Sequence, residues 1–288
     1  MNHLIITPAH NEEAHLPGLI ASMVAQDARP ERWLIVNDRS EDRTRALVLE
    51  AAQTHPWISL LDYDGDATRA LGSKVARIVL WALERAPQDW DYFSKLDADI
   101  VLPPDYYSEI FRRFSADSNL AIASGVCATV VGDSREIERV PRDHTRGAIK
   151  TYARHAWDSF GGFPPAHGWD GIDGLRAQRA GFRTEHFPEL VTEHHRPTGA
   201  ARGALRGRFV TGTFAHFLGY HPLFMAARSV RRMVDPPRVS GGVALFAGYL
   251  WAKARRDPVF DEPETVAFLR KKQLTRLGLG WLSERSSR

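Results

Sequence analysis

Asp97-Ala98-Asp99 closes the run Tyr92-Phe93-Ser94-Lys95-Leu96. Residues i and i+2 of an extended chain point the same way, so both carboxylates face one spot just beyond a strand end. Two like charges held that close are unfavourable unless a proton or a cation lies between them. A hard divalent cation, Mn2+ or Mg2+, suits the pair and keeps coordination positions open for phosphate oxygens. Exposed acidic pairs also arise by chance, so the motif gains meaning only from its surroundings.

Two further polar clusters stand beside apolar runs. Asn37-Asp38-Arg39-Ser40-Glu41-Asp42-Arg43-Thr44 follows Trp33–Val36. Ser40 or Asp42 can cap the next helix and Asp38 can brace the turn, or the Asp38 carboxylate can accept hydrogen bonds from a nucleoside. Thr7-Pro8-Ala9-His10-Asn11-Glu12-Glu13 follows the run from His3. Asn11 reads as the N-cap of a helix over Glu12–Gln26, with Glu12 and Glu13 at its positive end. Those two acids disfavour a bare phosphate there and leave a nucleoside as the better guest.

The elements that must position these groups alternate. Strands are predicted at 3–7, 33–36, 58–61, 92–96 and 120–124, and helices at 12–26, 42–51, 70–85 and 103–114. Such alternation implies crossover units, a mostly parallel sheet and helices on both faces. Ligands of these sheets bind beyond the carboxyl ends of the strands, where the three clusters fall. After Gly199 strand signals fade, and amphipathic stretches follow at 205–218, 222–233, 243–256 and 264–282. The expected organisation is an α/β domain over 1–200 and a helical, Arg-rich extension over 201–288.

At 288 residues, with 43% hydrophobic and 25% charged residues, the chain is a globular protein with room for a large core, which excludes wholesale disorder. The single cysteine, Cys127, excludes an internal disulfide and a cysteine-built zinc site. A net charge of +3 is too small to argue for nucleic acid. No acid occurs from Arg196 to Val234, however, while Arg196, Arg202, Arg206, Arg208, Arg228, Arg231 and Arg232 do. This stretch suits phosphates, an anionic membrane surface or a solvated helix face. No secretory signal and no spanning segment is read, so a cytoplasmic protein is expected, including one at the inner face of the cell membrane.

Taken together, P-A-x-N-E-E at the first strand exit, V-N-D-x-S-x-D-x-T at the second and a strand ending in D-x-D resemble family 2 glycosyltransferases of the GT-A fold. The likeness covers about residues 3–195. It extends to Lys74, opening the helix before the D-x-D strand, and to Tyr152–Trp157 leading into Phe160-Gly161-Gly162-Phe163-Pro164, similar to the helix and Gly-Gly turn before the acceptor site. The resemblance implies an inverting transferase that uses a nucleoside-diphosphate sugar and a divalent cation, in glycan or polysaccharide assembly. By that likeness Pro8, Ala9, His10, Asn11, Glu12, Asp38, Lys74 and Asp97 serve the nucleotide. Asp99, with Asp97, serves the metal.

The catalytic base of the family lies in a Glu-Asp pair opening a helix, which matches Trp169-Asp170-Gly171-Ile172-Asp173-Gly174-Leu175-Arg176. Asp173 takes the base position and Ile172 replaces the Glu, which leaves Asp170 as substitute or helper. Both acids also fit a plain helix start, with Asp170 as the cap. Some GT-A enzymes add a His to the metal, and here His194-His195 ends the last predicted strand, Val191–Glu193; a structural role for the pair is the alternative. The Q-x-x-R-W motif of processive members is absent from the sequence, which implies transfer of one sugar to a hydroxyl acceptor, lipid-linked ones included.

Three rivals stand beside this reading. D-x-D-x-[TV] at Asp97–Val101 also fits the nucleophile loop of haloacid-dehalogenase-like phosphatases, though three strands precede it here. A sugar-nucleotide pyrophosphorylase wants a glycine-rich first exit, which Thr7–Glu13 lacks. A catalytically silent nucleotide-sugar-binding homologue is suggested only by Ile172. For the extension, Leu245, Phe246, Tyr249 and Trp251 near Lys253, Arg255 and Arg256 suggest a helix lying on an anionic bilayer; ordinary packing against the core is the other reading.

Overall fold

The computed structural model describes residues 1–66, 73–131, 134–137, 140–195 and 203–280. The chain forms two compact units, Met1–Pro197 and Thr198–Arg288.

The first unit begins with β1 (His3–Ala9), α1 (Leu16–Val24), β2 (Arg32–Asn37), α2 (Thr44–Thr54), β3 (Ile58–Asp62), α3 (Ser73–Arg85) and β4 (Tyr92–Leu96). It continues with β5 (Ile100–Val101), α4 (Tyr106–Ala116), β6 (Leu120–Val131), β7 (Ser134–Ile137), β8 (Ile149–Ala153), α5 (Arg154–Phe160), α6 (Trp169–Arg179) and β9 (Arg183–His194). The strands make one sheet in the order β3-β2-β1-β4-β8-β6-β9-β5, with β7 on β6. β3, β2, β1 and β4 run parallel, as do β6 and β9. β8 is inserted antiparallel between β4 and β6.

Both faces of the parallel part are covered, so its strands are mostly apolar and even their polar residues His3, Thr7, Ser94 and Lys95 are buried. Ile5 and Ile35 pack against α1, α2 and α4, while Leu4, Ile6, Leu34 and Val36 pack against α3, α5 and α6. Burial of Leu16, Leu19 and Met23 anchors α1, at about 1.5–3 kcal/mol for each such side chain. Because β1, β2 and β4 are parallel, their carboxyl ends open on one edge, and that edge gathers the polar clusters.

Several boundaries differ from expectation. α1 starts at Leu16, and Asn11 is not its cap but sits in the left-handed region at φ 55°. Pro17 explains this. A helix from Glu12 would bury Pro17 in its interior, where the ring meets the preceding turn; at the second helical position it is tolerated. Glu12 and Glu13 therefore lie ahead of the helix. α6 starts at Trp169, with left-handed Gly168 rather than Asp170 as its cap. Tyr152 and Ala153 belong to β8, so the helix before the Gly-Gly turn begins only at Arg154. Gly161 and Gly162 both have positive φ, as that turn requires. β5, β7 and β8 were not signalled by sequence, and β6 and β9 run further than their apolar cores suggest. Of the predicted helix over 70–85, residues 70–72 lie outside the described residues.

The second unit holds α7 (Ala204–Phe217), α8 (Pro222–Arg231), α9 (Arg238–Ala254) and α10 (Pro263–Arg276). α7 and α9 approach closely: a Cβ added at Gly212 would lie 2.0 Å from the Leu245 carbonyl oxygen, and one at Gly248 would lie 2.0 Å from that of Phe209. α9 starts five residues before the predicted stretch. Arg196, Arg202 and the predicted helix end at 281–282 lie outside the described residues. Among the described residues no helix is long and apolar enough to cross a membrane.

Candidate active site

The exits of β1 and β2 clasp each other. The Asn11 amide donates to Ser40 Oγ at 3.0 Å, the Glu12 amide to Thr44 Oγ1 at 2.7 Å and the Glu13 amide to Asp42 Oδ2 at 3.0 Å. In return, the Glu41 amide donates to Asn11 Oδ1 at 2.8 Å and the Arg43 amide to Glu13 Oε2 at 3.0 Å. Burial raises the Asp42 carboxyl, but the Thr44 hydroxyl and the nearby backbone amides bring it below the ordinary range, so Asn11 and Asp42 do structural work. An open pocket of about 470 Å³ lies beside the clasp, lined by Asn11, Glu13, Ala14, His15, Glu41 and Asp42.

On the other side of the clasp, Pro8, His10 and Asp38 remain. His10 Nδ1 lies 2.6 Å from the Asp38 carbonyl oxygen, so that nitrogen carries the proton. Asp38 is buried, and its Oδ2 lies 2.5 Å from Lys74 Nζ at the start of α3. Arg39 reaches Asp38 Oδ1 at 3.3 Å and stacks over Tyr63 at 5.7 Å. The sequence-predicted residues of β1, β2 and α3 are therefore neighbours.

At the end of β4 the Asp97 amide donates to the Ala148 carbonyl at 2.8 Å, tying the D-x-D turn to the start of β8. Asp97 Oδ1 pairs with Lys95 Nζ, while the side chain keeps 31% of its surface exposed. Enclosure raises the Asp97 carboxyl above its usual range; Lys95 lowers it and Asp99 raises it further. Asp99 is buried beside β9, and its Oδ2 lies 3.4 Å from His194 Nε2. The β5–β9 pairing, Ile100 opposite His194, sets this contact. His195 turns the other way, with Nε2 3.9 Å from Glu193 and its ring stacked 6.2 Å from His15. Of the two histidines, His194 is the one that meets the acid pair.

α6 carries the other acids. Asp173 has no exposed surface. It accepts from Lys150 Nζ at 2.9 and 2.8 Å, from the Tyr152 hydroxyl at 2.6 Å and from the Gly174 amide at 2.5 Å. Burial pushes its carboxyl up, while Lys150 and Tyr152 pull it down. A carboxylate so enclosed is the counter-ion of Lys150. The residue expected to be the base is thus enclosed by Lys150, Tyr152 and the Gly174 amide. The cause is helical geometry: i+3 on the first turn of α6 turns under the helix onto β8. Asp170 is only partly buried, its side chain against Gly147 and its carbonyl accepting from Lys150 Nζ at 2.6 Å.

Sequence reasoning missed the groups that join these acids. Lys95 and Lys150 are directly opposite each other across β4 and β8, and both are buried. Their ammonium groups lie 5.5 and 5.7 Å from the Trp169 ring. Like charges so placed are destabilising unless each is neutralised, which Asp97 and Asp173 accomplish. His144 stands near Asp170 and Lys150; burial, with Lys150, lowers it to about 4. The only available signal was lysine inside two strands, where an apolar residue is the norm.

Asp99 and His194 offer an oxygen and a nitrogen donor within reach of one cation, and the mixed set suits Mn2+ better than Mg2+, which takes oxygen. Among the described residues no three acidic, His or Cys side chains converge, so a cation here would draw its other ligands from phosphate and water.

The model of the family described as "Glycosyl transferase family 2" matches residues 4–167. No curated protein sequence matches the chain. Solved structures similar to it include a mannosyltransferase from Pyrobaculum calidifontis in complex with GDP-Man and Mn2+, at 18% identity and a TM-score of 0.56, covering 99% of this chain and 86% of that one. A TarS fragment from S. aureus in complex with UDP gives 15%, 0.55, 96% and 92%. GalNAc-T7 with UDP, GalNAc and Mn2+ gives 12% and 0.58, covering 89% of this chain and 54% of that one. All three share the GT-A arrangement described above: a curled α/β sheet flanked by helices.

Proposed function

Since the chain belongs to glycosyl transferase family 2 and is a glycosyltransferase, we propose that it moves a single sugar from a nucleoside-diphosphate sugar to a hydroxyl acceptor, inverting the anomeric carbon, in glycan or polysaccharide assembly. Structural neighbours solved with GDP-Man, UDP and UDP-GlcNAc support such a donor. The observation that carries the reading is the meeting of two acidic motifs at one sheet edge: the Asp97–Asp99 turn and the Asp170 end of α6 are joined through Lys95, Lys150 and Trp169.

In this reading the nucleoside lies over Pro8, Ala9, His10 and Asp38, with Lys74 fixing the Asp38 carboxylate. Asn11 and Glu12 hold the β1–β2 clasp that shapes its floor. The diphosphate runs toward Asp97, Asp99 and His194. Asp99 and His194 would hold a divalent cation, which neutralises charge on the departing diphosphate when bound; the Mn2+ in two neighbours supports this. Asp170 accepts the proton of the acceptor hydroxyl as it attacks, and the helix start, pinned by Lys150, keeps that carboxylate in line with the bond being broken. The D-x-D turn leaves the fourth strand of a family 2 sheet, so the phosphatase and pyrophosphorylase readings fall away.

Incubation with a panel of nucleoside-diphosphate sugars and Mn2+ tests the proposal. It expects release of nucleoside diphosphate with one donor, a product of opposite anomeric configuration by NMR, and release slowed by about 10²–10⁴-fold in Asp170→Asn. Retention of configuration, or full turnover by that variant, would overturn it.

A further inference from the structure

The central helix of the second unit is apolar on the side that packs and also on the side that does not. α9 carries no charged residue between Arg238 and Lys253. Leu245, Tyr249 and Ala252 point inward, with Gly241, Gly242 and Gly248 giving backbone room to α7 and α8. This corrects the expectation that Leu245 and Tyr249 lie on a membrane face. At 3.6 residues per turn the opposite side presents Val239, Val243, Ala247, Leu250 and Trp251; Val239 is 61%, Val243 54%, Leu250 46% and Trp251 55% exposed. A helix that is apolar all round is normally buried, and this one leaves half its girth bare.

We propose that this face of α9 docks on an anionic lipid bilayer, lying in the interface with its axis along the surface. Charge selects that occupant. Thr198–Arg288 holds 16 Lys and Arg against 6 Asp and Glu, a net charge of +10, whereas Met1–Pro197 holds 22 against 29, a net charge of −7. Exposed Arg238 stands at one end of the stripe and Lys253 and Arg256 at the other, and among the described residues no carboxylate pairs with them. The Arg255 guanidinium stands 6.0 Å over the Trp251 ring, an aromatic rim beside a basic flank. Anionic headgroups attract such clusters while the apolar side chains enter the acyl boundary. A second copy of this chain is disfavoured, because pairing through this face would bring two units of +10 together. The helix is 17 residues long, about 25 Å at 1.5 Å per residue, too short to cross a bilayer and long enough to lie on it.

This inference goes beyond the transfer reaction and does not depend on it. The test is co-sedimentation of the whole chain with vesicles. Binding is expected to phosphatidylglycerol-containing vesicles and not to pure phosphatidylcholine. Val243→Glu with Leu250→Glu should weaken it at least about tenfold, and Arg238→Gln with Lys253→Gln and Arg256→Gln should remove most of its salt dependence. The substituted residues are exposed, so both variants should keep the wild-type Tm and circular dichroism; sugar transfer to a soluble acceptor should also be unchanged. No binding by the wild type, or equal binding by Val243→Glu/Leu250→Glu, would overturn the proposal. So would light scattering showing a dimer that this variant dissociates.

Discussion

Asp97 and Asp99 leave β4, Asp170 and Asp173 occupy the first turn of α6, and in each pair a buried lysine takes one carboxylate: Lys95 holds Asp97 and Lys150 holds Asp173. The pairs differ in how far that hold goes. Asp97 keeps part of its surface open, while Asp173 keeps none and has three donors around it. Just past β4, Asp97 and Asp99 stay at the sheet edge together, so the lysine-bound acid keeps part of its surface open there. In the helix, i+3 turns under and becomes part of the core. On the proposed reading, the β4 pair serves the donor and Asp170 alone serves the acceptor.

Neutralising the acids of α6 one at a time separates the exposed group from the buried one. Asp170→Asn should lower turnover by about 10²–10⁴-fold with an unchanged Tm. Asp173→Asn should instead lower the Tm strongly, because it strands the buried Lys150 ammonium; if the two variants swap these phenotypes, the assignment of roles is reversed. Removing the lysines comes next. Lys150→Met leaves a fully enclosed carboxylate unpaired and should cost about 3–5 kcal/mol by denaturant unfolding, part of it recovered on adding Asp173→Leu. Lys95→Met should cost only about 1 kcal/mol, since Asp97 can turn to water; equal losses would mean that the difference in burial is immaterial.

A smaller effect is expected on acidification. The folded state holds His144 at about 4, below its ordinary 6.5. The unfolded chain thus takes up a proton that the folded one refuses, and stability falls as the pH drops from about 6.5 toward 4. The contribution between pH 7 and pH 5 should be on the order of 1 to 2 kcal/mol, seen as a flatter Tm profile in His144→Asn. An unchanged profile would place the loss elsewhere, for instance on His3, which burial lowers to about 3.

The parallel strands and the D-x-D turn were legible because β1 to β4 are short, mostly apolar runs with polar residues just beyond them and helical stretches between them, a pattern that needs no tertiary information. β8 was not, since Ile149–Ala153 contains Lys150, and a lysine reads as exposed until its carboxylate partner, 23 positions on, is known. β5 has two residues, too few for any periodicity. The burial of Asp173 was hidden for a related reason. Spacing shows that Asp170 and Asp173 share a helix start, but which of them is tucked under depends on where the helix begins and on what β8 holds beneath it. The choice of His194 over His195 likewise follows from the β5–β9 register alone.

Titration calorimetry of UDP and GDP in the presence of Mn2+ compares the two acid pairs most directly, with wild type, Asp99→Ala and Asp170→Asn side by side. One nucleotide should bind wild type and Asp170→Asn alike, and its Mn2+-dependent binding should vanish in Asp99→Ala. Equal loss in both variants, or full Mn2+-dependent binding by Asp99→Ala, would contradict the division between a donor-holding pair on β4 and an acceptor-facing acid on α6.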